Sequence, residues 1–185
     1  MTSLIQERIL LDSEGIDAAI AQMAKDIVAS SKGVAELAIV GIHTGGVHIA
    51  RRLCDAIASN EGRRPPQGMI DITLYRDDVF IGLPQPVVGR TEMAFDVSGI
   101  DIVLVDDVLY TGRTVRSALD AIIDYGRPAR VRLAVLADRG LRELPIQADH
   151  VGLRIQTRLN QSVKVLLVEE GEASDQVVLY RKEDA

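Results

Sequence analysis

Apolar residues along the chain follow two rhythms, one near four residues and one continuous. Over residues 14–31, Ile16, Ile20, Met23 and Ile27 recur on one stripe, which predicts an amphipathic helix with Ser13 placed to cap its start. Leu37–Ile42 and residues 102–105 are short unbroken apolar runs, the pattern of strands covered on both faces. After the first run, His43, Thr44, Gly45 and Gly46 read as a turn leading into a helix that runs to about residue 59. A Pro-rich loop at 62–68 then precedes a strand at 69–75. After the second run, Asp106 and Asp107 end the strand, and Val115, Ala118, Leu119 and Ile122 fall at helical spacing. Further strands are predicted at 131–137 and, beyond an irregular segment reaching Asp149, near 151–155, 163–168 and 177–180. Strand, turn and helix alternate, so the expectation is one α/β domain over 1–185. Its central sheet should be mostly parallel, flanked by helices, with ligands at the carboxyl ends of the strands. Residues 76–99 break both rhythms with scattered Pro, Gly and charge, and so long a connection is expected to be an active-site lid.

Composition narrows this picture. The 185 residues are 47% hydrophobic, enough for one substantial core but short for two domains. A formal net charge of −6 argues against a bulk nucleic-acid surface, so any RNA site must be local. Cys54 is the single cysteine and lies on a helix face, where packing is its expected role. No apolar run approaches the roughly 20 residues that span a bilayer, and no basic and apolar signal region precedes Leu4. The expectation is a cytoplasmic enzyme with no membrane partner.

The chemistry concentrates at residues 103–116, VLVDDVLYTGRTVR. A buried strand runs into two carboxylates, and Thr111, Gly112, Arg113 and Thr114 form a turn that opens a helix. Backbone N–H groups at such a start, with the positive end of the helix dipole, suit a phosphate. The carboxylates suit ribose hydroxyls or a metal ion. Simple helix capping by Thr-Gly-x-Thr is the plain alternative. No lysine completes a Walker pattern, and the order of strand, carboxylates and Gly turn favours a ribose 5-phosphate cradle. Nothing resembles a Ser/His/Asp or Cys/His set, since His43, His48 and His150 have no obvious partners and Ser117 lies within a helix pattern. Covalent catalysis is not expected.

On these residues the chain resembles the type I phosphoribosyltransferases, and the form VDDVLYTGRTVR is similar to that of the PyrR family. The likeness extends to DITLYRDD at 71–78, YGRP at 125–128 and DRGLRELPI at 138–146, and so covers nearly the whole chain. It implies a phosphoribosyltransferase fold, a homo-oligomer, and formation of UMP and diphosphate from uracil and PRPP with Mg2+. By the same resemblance Asp106 and Asp107 hold the ribose hydroxyls. Val108, Leu109, Tyr110 and residues 111–114 wrap the 5-phosphate, and Thr44 and Gly45 belong to the diphosphate loop. Mg2+ is implied to bind through PRPP, with few direct protein ligands. Arg76 is expected to reach the diphosphate from the lid, Arg139 to contact substrate, and backbone near Val163 to read the edge of uracil. Purine-handling relatives carry an acidic residue where Tyr110 stands, which points away from purines.

Two departures stand out. The family usually has Arg where this chain has Gly45, and often Lys or Arg at His43. The missing guanidinium is a phosphate donor, and a Gly45→Arg change is expected to strengthen PRPP use. The family's second activity is UMP-responsive regulation of pyrimidine genes through RNA, which offers the alternative of an attenuator with weak transferase activity. Arg127, Arg130, Arg132, Arg142, Arg154 and Arg158 are candidates for a local basic face on an oligomer, with ordinary solvated charge the plain alternative, and Lys25 and Arg142 are candidates for RNA contacts. Where RNA-binding members carry Thr and His on the first helix and Arg after the ELPI string, this chain has Ala21, Lys25 and Gln147.

Overall fold

The computed structural model describes residues 4–75 and 91–182. In chain order its elements are β1 (Leu4–Leu11), α1 (Ser13–Ala29), β2 (Leu37–Ile42), α2 (Gly45–Glu61), β3 (Gln67–Ile70) and β4 (Asp101–Leu109). They continue with α3 (Arg113–Ile123), β5 (Arg130–Asp138), β6 (His150–Arg154), β7 (Gln161–Leu166) and β8 (Gln176–Lys182). Five strands form a parallel sheet in the order β3-β2-β4-β5-β6, as the expected α/β architecture requires. β2 and β4 lie side by side at its centre, with Gly41 opposite Val105. Both carry unbroken apolar runs because helices cover both faces: α1 and α2 pack on one, with Ile16, Ile27, Ile49 and Leu53 fully buried. α3 packs on the other through Val115, Ala118 and Ile122 against Val40, Leu104 and Val135.

Four expectations change. The last two strands do not join the parallel sheet; β7 and β8 pair antiparallel with β1 in a separate three-stranded sheet, order β1-β8-β7. β1 itself carries no clean alternation of polar and apolar residues, because its pairing with β8 is irregular between Gln6 and Arg8 and between Ile9 and Leu11. Ser13 does not cap α1. Asp12 does, accepting from the Gly15 N–H at 2.9 Å, while the Ser13 hydroxyl donates to the Asp175 carbonyl at 3.3 Å. The strand expected at 69–75 stops at Ile70, because the Asp71 carboxylate accepts from the Thr73 N–H at 2.6 Å and turns the chain into a 3-10 segment at Thr73–Tyr75. Asp106 and Asp107 do not end β4, which continues to Leu109 and pairs there with Asp138.

Arg76 and Phe80 lie outside the described residues, as does most of the 76–99 connection. Its described end is anchored, with Met69 and Glu92 exchanging backbone hydrogen bonds at 2.9 Å. The antiparallel sheet is tied to α2 by Arg52, whose guanidinium reaches Glu169 and Asp175, each at 2.5 Å.

Candidate active site

The two turns singled out from the sequence hang from adjacent strands at the carboxyl edge of the parallel sheet. β2 delivers His43 to Gly46 and β4 delivers Asp106 to Gly112. Their contact is direct. A side chain at Gly46 would place its Cβ 2.4 Å from the Val105 carbonyl oxygen, so only glycine lets the start of α2 lie on β4. A Cβ at Gly45 would lie 2.7 Å from Asp107 Oδ2 and 2.9 Å from its Cγ. A side chain added at Gly45, as in Gly45→Arg, therefore requires the Asp107 carboxylate to shift.

Asp106 is 6% exposed, and Asp107 is half-buried beside it. Burial, then the neighbouring Asp107 charge, pushes the Asp106 carboxyl well above the usual carboxylate range. Asp106 Oδ1 accepts from the Asp107 N–H at 3.0 Å, and Asp107 Oδ1 accepts from the Val108 N–H at 2.8 Å. These local bonds fix both carboxyls at the point where the strand enters the turn.

Neither helix start is capped by its preceding residue. Thr44 ahead of α2 and Gly112 ahead of α3 make no side-chain capping bond, and Gly112 is left-handed with φ 93°. The plain alternative of side-chain capping therefore reduces to one bond of 3.3 Å, from the Arg113 N–H to the Thr111 hydroxyl. Thr44 and Thr114 are exposed at these two helix starts. Val108 and Leu109 serve packing, Leu109 at 1% exposure.

Tyr110 and Arg139 meet. The Arg139 guanidinium lies over the Tyr110 ring at 4.1 Å from its centroid and is itself 6% exposed. Its Nε donates to the Thr157 hydroxyl at 3.0 Å and its Nη2 to the Gln161 carbonyl at 2.6 Å. Burial pulls it below its ordinary value, and among the described residues no carboxylate lies within ion-pair distance. A cavity of about 290 Å3 opens beside it, lined by Gly140, Leu141, Gln156 and Thr157. Sequence reasoning missed Thr157 and Gln161, and no local signal marks them; they reach Arg139 only through tertiary packing. Val163 does not join this group with its side chain, which packs in the core at 7% exposure. Lys25 is exposed on α1 and away from both turns.

Within one protomer the six arginines fall into two groups. Arg130 and Arg132 begin β5 and both bind Asp101, at 2.5 and 3.0 Å. Arg142 and Arg154 bind Asp138 at the opposite end of the same strand, at 2.5 and 3.4 Å. Arg127 belongs with the first group by position and Arg158 with the second. Among the described residues no cluster of acidic, His or Cys side chains forms a cage for a metal ion, and no helix is long and apolar enough to cross a membrane.

Comparison with known proteins agrees with this geometry. Residues 7–169 match the phosphoribosyl transferase domain family. The chain is 52% identical over 176 residues to the bifunctional protein PyrR of Thermus aquaticus, covering 95% of this chain and 97% of that one. It is 49% identical to the bifunctional protein PyrR of Deinococcus radiodurans, over 95% of each. In fold it is similar to the hypoxanthine phosphoribosyltransferase of Trypanosoma cruzi, with a TM-score of 0.71 and 23% identity over 96% of this chain and 98% of that one. With its paired carboxylates and two uncapped helix starts on neighbouring strands, the chain belongs to the phosphoribosyl transferase domain family and, within it, to the PyrR proteins.

Proposed function

We propose that this protein is a cytoplasmic uracil phosphoribosyltransferase that forms UMP and diphosphate from uracil and PRPP with Mg2+, in a homo-oligomer. The observation that carries the reading is the contact of Gly45 with Asp107, which joins a diphosphate-side turn to a ribose-side carboxylate. In the reaction the bond from C1 of the ribose to diphosphate breaks and a bond from C1 to uracil N1 forms, with loss of the N1 proton. The transition state has oxocarbenium character, so positioning and charge matter more than a nucleophile.

Each residue then has a task. Asp107 accepts from a ribose hydroxyl. Asp106, held protonated more readily than an ordinary carboxyl, donates to one as well as accepting. The amides of 111–114 surround the 5-phosphate, and those of 44–46 face the diphosphate. Tyr110 offers a ring where purine-handling relatives carry a carboxylate, and Arg139 behind it holds an uncompensated positive charge near the base. Backbone near Val163 and Arg76 from the lid complete the reading. The residues fit Mg2+ carried in on PRPP, since Asp106 and Asp107 would hold the ribose beside it and the ion would supply neutralisation of diphosphate charge.

The test is conversion of labelled uracil to UMP with PRPP and Mg2+, with hypoxanthine and orotate as competing bases. Uracil-selective turnover is expected; turnover of hypoxanthine instead would overturn the base assignment. The relatives' description as bifunctional favours a second activity, regulation of pyrimidine genes through RNA. Salt-dependent, sequence-specific affinity for pyrimidine leader RNA is its test, and Lys25 is the exposed candidate contact.

A further inference from the structure

We propose that Arg142 is a positioning residue for the phosphate turn rather than a contact for an outside partner. Its guanidinium is partly buried and makes four hydrogen bonds among the described residues. Nη1 donates to the Tyr110 carbonyl at 2.8 Å and the Gly140 carbonyl at 3.1 Å. Nε donates to the Ile146 carbonyl at 3.0 Å, and Nη2 to Asp138 Oδ1 at 2.5 Å. One planar fork therefore joins the end of β5, the irregular segment after it and the first residue of the turn after β4. A planar fork of five N–H donors holds these acceptors in fixed relative places, whereas a lysine ammonium, with three donors on a flexible stem, reaches only some of them.

The turn depends on this outside support. Residues 111–114 have no side-chain cap on Gly112, and their carbonyl side is closed by the segment that Arg142 organises. The Glu143 and Leu144 N–H groups donate to the Thr111 carbonyl at 3.0 and 3.1 Å. Ile146 lies under Gly112, where an added Cβ would be 3.3 Å from Ile146 Cβ. Arg113 Nε meets Glu143 at 2.7 Å. Tyr110 is held at both ends, by Arg142 at its carbonyl and by Arg139 at its ring. Losing the Arg142 fork frees the backbone that aims the amides at the phosphate, while Asp106 and Asp107 keep their own local bonds.

The inference rests on reading 111–114 as the phosphate turn, and direct binding separates the two. Ribose 5-phosphate and PRPP binding to full-length wild type, Arg142→Gln and Arg142→Lys is measured by calorimetry, alongside PRPP KM, kcat and leader-RNA affinity. Arg142→Gln is expected to weaken ribose 5-phosphate binding and raise PRPP KM on the order of ten- to a hundredfold, with a smaller change in kcat. Arg142→Lys is expected to rescue part of the loss. If Arg142→Gln does not fold, Asp138→Ala, which removes the acceptor and the charge that Nη2 binds, must move PRPP KM in the same direction. Unchanged ribose 5-phosphate affinity in the folded variants, with or without lower thermal stability, overturns the proposal. So does a loss confined to RNA affinity. Failure of the wild type to bind ribose 5-phosphate overturns the reading of the turn and the proposal with it.

Discussion

Asp107 combines a structural bond with an open one. Its Oδ1 takes the Val108 N–H, while Oδ2 points to Gly45. Asp107→Asn keeps the first acceptor and removes the charge. It is expected to leave thermal unfolding within a few degrees of wild type and lower kcat/KM on the order of a hundredfold; near-normal turnover would remove Asp107 from the site. Gly45→Ala is expected to raise PRPP KM, because the methyl displaces the Asp107 carboxylate, and a lowered KM would show that the carboxylate can move aside at no loss. The carboxylates and the 111–114 turn were legible in the sequence because each is announced by its neighbours, a buried run before and helical spacing after. The crowding of Gly45 against Asp107 was not, since it exists only once β2 and β4 are adjacent. The bonds of Arg142 were hidden for a related reason: an arginine in a polar segment reads as a surface charge until the carbonyls around it are known.

Between elements, the bridge from Arg52 on α2 to Glu169 and Asp175 anchors the antiparallel sheet. Hydrogen bonds from Arg52 hold both carboxyls below their ordinary range. A depressed folded value means this stabilisation is present above the unfolded value, near pH 4, and is lost as pH falls through the lower folded values. Arg52→Met is therefore expected to cost about 1–3 kcal/mol at pH 7, with the gap to wild type narrowing in denaturant titrations as pH falls below the ordinary carboxylate range. A gap independent of pH would assign the loss to packing. The helices and the parallel strands were readable because burial on both faces leaves long apolar runs. The antiparallel sheet was only half readable: β7 and β8 announce themselves, but nothing in β1's broken alternation names its partner, which lies at the other end of the chain.

Across the whole molecule, the two sheets share one core. Val163, Val165 and Val177 pack in the same cluster as Ile16, Ile39 and Leu53. Cys54 sits inside it at 0% exposure, and burial pushes its thiol up to about 12. The expectation is a thiol silent to aromatic disulfide reagents until the protein unfolds, with labelling and loss of helical circular dichroism coincident along a urea titration. Earlier labelling would show the antiparallel sheet opening on its own. The crowding at Gly45 reaches further than kinetics, into the routes by which this chain can change. Positions 45 and 107 share one volume, so the effect of a side chain at 45 depends on what stands at 107. A larger side chain at 45 is accommodated only with the Asp107 carboxylate turned aside from its present place. The two positions thus vary as a unit: the side chain at 45 decides where the carboxylate at 107 can sit.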